Sequence, residues 1–179
     1  MWFPFPGRAT HRRHPGHHYG ILYTNMPTKH NSEGNPVASA DDEASVRAWM
    51  AAWGEEVAGV DLETARARFA PDVSAFGTFA DAVQGIDRLH DEQWSRIWPA
   101  IEDFRFELDR LSVLVSPDRL QAVAVVPWSS TGRSEDGERF PRPGRATVVL
   151  GRPSTAAGWL GLHTHVALAR DTPREAPSA

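Results

Sequence analysis

Outside the first forty residues the chain has three histidines, His90, His163 and His165, and these offer the clearest possibilities for chemistry. His163 and His165 are two apart in a strand-like segment, so both imidazoles emerge on one face. Such a pair could share acid–base work on a substrate, hydrogen-bond it, or hold a metal. No third ligand stands at a fixed spacing, so no metal and no other cofactor is expected. The alternate positions Leu160, Leu162, Val166 and Leu168 form a second, apolar face. If those residues line the core, the histidines face outward, where a second copy of the chain could cover them. Pocket and interface both stay open.

His90 lies four residues from Ile86 and four from Trp94 on a helical pattern, so it is expected to point inward with them. It is the best single candidate for a polar group inside a pocket, with a hydrogen-bonded core histidine as the alternative. Trp94 and Trp128 are placed in the same pocket, and Trp53 and Trp98 are further candidates for core or pocket wall. Indole rings suit a flat apolar ligand, while each N–H seeks a partner. Asp72 and Asp81 could act as bases if desolvated, and Arg145 could meet a ligand carboxylate; surface roles are the simpler reading of all three.

These residues need elements to hold them. Ser39-Ala40-Asp41-Asp42 reads as a helix start, with acidic residues where the helix dipole favours them. Val46, Trp49, Met50, Trp53, Val57 and Val60 then mark one face of a long helix. Asp61 can cap a short second helix carrying Leu62, Ala65 and Phe69, closed by Pro71. Residues 73–79 alternate like a strand, and Gly85 opens a third helix running to about Trp98. From residue 103 the pattern is of long strands: 104–108, 120–130, 145–150 and 159–169, separated by turns at 116–118, 132–138 and 151–158. Trp128 shares its parity with Val126, Ala124 and Ala122, and those alanines would leave room for a ligand. Three helices followed by antiparallel strands is an α+β layout, with the helices packed on one face of a strongly curved sheet.

Composition sets the bounds. There is no cysteine, hence no disulfide and no thiolate nucleophile or metal ligand. Residues 1–40 hold four Lys/Arg against one acidic residue, and the remainder holds fifteen against twenty-two. The acidic remainder argues against nucleic acid as a partner. No stretch approaches the roughly 20 apolar residues of a membrane-spanning helix. Arg12-Arg13 is followed by no apolar segment, which excludes a twin-arginine signal and leaves a cytoplasmic expectation with no membrane partner. Residues 1–40, rich in Pro, Gly and His, are read as a disordered tail rather than a metal-binding one. The foldable domain is set at 41–170 and a second frayed end at 171–179.

The order of these pieces resembles one family. Phe69-Ala70-Pro71-Asp72-Val73, Phe76-Gly77-Thr78, Gly85 before a helix, Gly144-Arg145-Ala146-Thr147, and Gly158-Trp159-Leu160-Gly161-Leu162-His163-Thr164-His165 are similar to SnoaL-like domains. These belong to the nuclear-transport-factor-2-like superfamily, with ketosteroid isomerase and the calmodulin-dependent kinase association domain. The resemblance implies a cone of curved sheet and helices around an apolar pocket, commonly in a homodimer. It does not fix function, because one fold hosts many. Steroid-isomerase chemistry needs a tyrosine donor and an aspartate base. The tyrosines here are Tyr19 and Tyr23, both in the tail, and the first helix offers Trp49 and Trp53 instead. Two readings follow: a pocket that binds a small apolar molecule and isomerises, hydrates or cyclises it, or a non-catalytic homodimeric binding or association module. A metal-dependent β-sheet enzyme of cupin type would fit His163-Thr164-His165 alone, but the three preceding helices speak against it.

Overall fold

The computed structural model describes residues 39–78, 82–134, 136–170 and 172. The expected tail, nearly all of the expected frayed end, Asp81 and both tyrosines lie outside the described residues.

Helix α1 spans Ala40–Gly59. Ser39 caps it, its Oγ accepting from the Asp42 N–H, and Asp41, Asp42 and Glu43 complement the dipole in the first turn. Val46, Trp49, Met50, Trp53 and Val57 are buried along one face; Val60 adopts left-handed geometry as the C-cap and is exposed. Helix α2 is short, Leu62–Arg66, capped by Asp61. Phe69, expected in this helix, and Pro71, expected to close it, belong instead to strand β1, Phe69–Phe76. Strand β2, Ala82–Gln84, pairs back on β1.

The third helix, α3, is composite. It is α-helical at Ile86–Arg88, π-helical at Leu89–Trp94, α-helical again at Ser95–Ile97 and 3₁₀ at Trp98–Ala100. In the π segment, bonds close five residues apart rather than four. Leu89 and Trp94, five apart, are both buried.

The strands that follow are β3 (Ile101–Phe106), β4 (Ser112–Val115), β5 (Gln121–Arg133), β6 (Arg139–Gly151) and β7 (Leu160–Leu168). They form one seven-stranded sheet in the order β2-β1-β7-β6-β5-β3, with β4 also on β5. All pairings are antiparallel except β1 with β7. β3 lies along Trp128–Gly132 of β5 and β4 along Ala122–Val125, so the two act as one strand broken by the 3₁₀ turn Leu108–Arg110. Irregular register in the β1–β7, β3–β5 and β6–β7 pairs bends the sheet, as bulges do.

β6 is longer than its sequence pattern predicts, beginning at Arg139 rather than Arg145. Its first half contains Pro141 and Pro143, a residue type ordinarily kept to strand edges. These residues lie beyond the end of β7, whose pairing starts at Gly144↔Leu168. The Pro143 carbonyl on that side accepts from Ala169 N–H at 2.9 Å. A strand residue's nitrogen faces the same side as its carbonyl, so proline leaves the Pro143–Ala169 pair with one bond instead of two, at the margin of the ladder.

The inner face of the sheet and the three helices enclose the core. Rings form a continuous run through it. Trp94 and Trp98 stack with centroids 4.8 Å apart, Phe69 joins Trp94 to Trp53, and Phe106 and Phe104 carry the contact on to Trp128. Phe69 lies directly over Gly161, whose missing side chain makes that approach possible.

Candidate ligand-binding site

A cavity of about 50 Å³ opens among these rings. One water needs roughly 10–15 Å³ of such space, so it has room for a few. α1 supplies Trp53 and Val57; α3 supplies Gln93, Trp94, Ile97 and Trp98. Ile101, Phe104 and Phe106 come from β3, Trp128 from β5, Arg142 from β6, and Thr164 and Val166 from β7, with Thr78 after β1. Periodicity on each element explains the choice. Along β5 and β6 the inward positions are Ala122, Ala124, Val126, Trp128, Ser130 and Arg142, Gly144, Ala146, Val148, Leu150, all buried. The Trp128 indole lies across Gly144, where a Cβ would fall inside the ring.

The wall is mostly apolar but its polar atoms are distinctive. Trp53 Nε1, Trp128 Nε1 and Gln93 Oε1 are buried with no hydrogen-bond partner among the described residues. Arg142 is 1% exposed, and burial pushes its guanidinium below the usual arginine pKa. It is the single charged side chain of the described lining, which contains no Asp, Glu or His. No group of three His, Asp or Glu among the described residues could hold a metal.

Of the residues expected at the pocket, the structure brings Trp94 and Trp128 together, along with Trp53 and Trp98. It does not bring His90, His163 or His165 there. The π-helical segment changes the phase of α3, so that Leu89 rather than His90 shares the buried side with Trp94. The His90 Nδ1 lies 2.6 Å from Asp91 Oδ1, and its Nε2 lies 3.8 Å from Glu63 Oε1. The irregularity between β6 and β7 breaks the simple alternation of β7, so Thr164 and Val166 face the cavity while Leu160 is exposed. Ala122 and Ala124 are buried in the core and do not border the cavity. Asp72 and Arg145 are exposed.

Arg142 and Gln93 were missed. A signal for Arg142 existed: stepping back by twos from Leu150, Val148 and Ala146 reaches Gly144 and then Arg142. The strand is read only from Arg145 onward, which leaves it out. Gln93 had no signal, because the π phase is not legible in residue types.

The opposite face of the sheet holds both strand histidines. Two rows cross five strands in register: Phe76, His165, Thr147, Val125 and Ser112, and beside it Ser74, His163, Val149, Val123 and Leu114. Ser74 Oγ lies 2.9 Å from His163 Nδ1, and the Phe76 ring stands edge-on to both imidazoles. Phe76, Leu114 and Val125 are exposed by 46%, 57% and 44%, an unusually apolar outer surface.

Residues 46–156 match the SnoaL-like domain family. Solved structures share the fold. A ketosteroid isomerase-like protein from Erwinia carotovora atroseptica SCRI1043 aligns at 18% identity and a TM-score of 0.63, over 75% of this chain and 99% of its own. A nuclear-transport-factor-2-like superfamily protein from Salmonella enterica serovar Typhimurium aligns at 17% identity and 0.62, over 76% and 96%. The association domain of CaMKII from C. elegans aligns at 14% identity and 0.54, over 73% and 97%. No curated protein matches the sequence.

Proposed function

The chain belongs to the SnoaL-like domain family, and on that premise we propose that it binds a small, mostly apolar molecule in the aromatic cavity. The observation that carries this reading is the wall itself: tryptophan and phenylalanine rings around open space, with a few buried polar atoms among them. The described lining favours binding over isomerisation, hydration or cyclisation, because it offers no carboxylate or imidazole to move a proton. We also propose that the domain works as a homodimer, joined through the two apolar rows of the outer sheet face.

A panel of small aromatic and alicyclic compounds tests the binding reading by thermal shift. A ligand at about 100 times its Kd adds about 2.7 kcal/mol of stability, which raises Tm by several degrees. Compounds that saturate should also perturb tryptophan fluorescence, since Trp53, Trp94, Trp98 and Trp128 form the wall. A panel without effect on either would remove the reading.

A further inference from the structure

We infer that the ligand carries an accepting oxygen, carbonyl or carboxylate, on its apolar body, and that the indole N–H groups of Trp53 and Trp128 donate to it. This rests on the cavity being a small-molecule site, as proposed above. An indole nitrogen donates and cannot accept. Trp53 and Trp128 are 4% and 2% exposed, both form the wall, and neither Nε1 has a partner among the described residues.

Nor can these rings turn away to find one. Trp128 is laid across Gly144 and packed 5.6 Å from the Phe104 centroid. Trp53 is held by Phe106 at 5.2 Å and Phe69 at 5.4 Å. The two residues border the cavity from different layers, Trp53 from α1 and Trp128 from β5. Arg142, in the same wall, also donates only, and it brings a positive charge. A hydrocarbon would fill this space and leave both indole donors unmet. A molecule with an accepting oxygen would satisfy them, and a site built that way discriminates strongly against the analogue lacking the oxygen.

Acetophenone and α-methylstyrene have nearly the same shape and differ in C=O against C=CH2; benzoate adds the charged form of the acceptor. Isothermal titration calorimetry on the full chain should show acetophenone, benzoate or both binding at least about tenfold tighter than α-methylstyrene. Benzoate ahead of acetophenone would assign the charged acceptor, and the reverse order the neutral one. Trp128→Phe and Trp53→Phe keep a ring and remove the donor. Each should cut the ratio of acetophenone or benzoate affinity to α-methylstyrene affinity several-fold, with Tm measured as the folding control. Equal affinities in the native protein, or a preference that survives in both variants, would overturn the inference while leaving the binding site standing. Binding of none of the three probes would instead remove the small-molecule reading, and this inference with it.

Discussion

Asp42 shows how one residue can tie the start of a helix to distant loops. It is 2% exposed, and its carboxylate accepts from Arg119 Nε at 2.6 Å, Arg152 Nη2 at 2.7 Å and Ser39 Oγ at 2.9 Å. Arg152 is itself packed over the Trp159 ring at 4.0 Å, and the Trp159 indole donates to Ser45 Oγ on α1. The Arg119 hydrogen bond, helped by Arg152 and Ser39, holds the Asp42 carboxyl far below the usual carboxylate range against the opposing effect of burial. A carboxyl depressed in the folded state stabilises above its unfolded pKa, and that contribution drains away as pH falls below about 4. Asp42→Ala should therefore cost about 3–5 kcal/mol at neutral pH, because Arg152 is left charged and buried. The difference between variant and native stability should shrink as the pH is taken down from about 4. Urea denaturation at pH 7 and at pH 3 checks both expectations; an equal difference at the two values would show that the carboxylate is not what matters.

At the scale of elements, what could be read from the sequence depended on whether a side chain announces its backbone. Ser39 and Asp61 did so, since each caps the helix its position predicts. Trp128 did as well, because strict alternation from Ala122 through Val126 carries it to the inner face. His90 did not: its inward placement assumed a four-residue period, and the backbone from Leu89 to Trp94 runs with five. The first half of β6 was not legible either: the strand is read from Arg145, and Pro141 and Pro143 occupy the part that outruns β7. The four tryptophans of the cavity wall were thus legible, and its charged member was not. The same packing yields a prediction for the β5–β6 pair. Gly144→Ala would put a methyl where the Trp128 ring lies. Overpacking of this kind typically costs about 1–3 kcal/mol. Guanidinium denaturation should show that loss, with weaker binding of cavity ligands as Trp128 is displaced. A fully stable variant with native affinity would show that the ring has another resting place.

For the whole molecule, the proposed homodimer would form through the outer sheet face. Phe76, Leu114 and Val125 leave an apolar surface that charged residues interrupt little, and a second copy laid across it would cover both rows at once. Analytical ultracentrifugation at micromolar concentration should give a dimer. Val125→Glu should convert it to a monomer while changing monomer stability by no more than about 0.5 kcal/mol, as for ordinary surface substitutions. A native protein that sediments as a monomer would end the proposal. None of the described helices is long and apolar enough to cross a membrane.

The place of β7 between β1 and β6 has a consequence in time. Its partner β1 was synthesised about ninety residues earlier, and their parallel pairing is among the longest-range contacts of the fold. Until β7 is available, the β1–β2 hairpin and the β3–β6 layer cannot be joined through it, and β1 and β6 each lack the neighbour they have in the sheet. The segment that joins them leaves the exit tunnel after every other strand of the sheet. Until then the aromatic interior lacks a strand that closes it, and the nascent chain is open to association with neighbours.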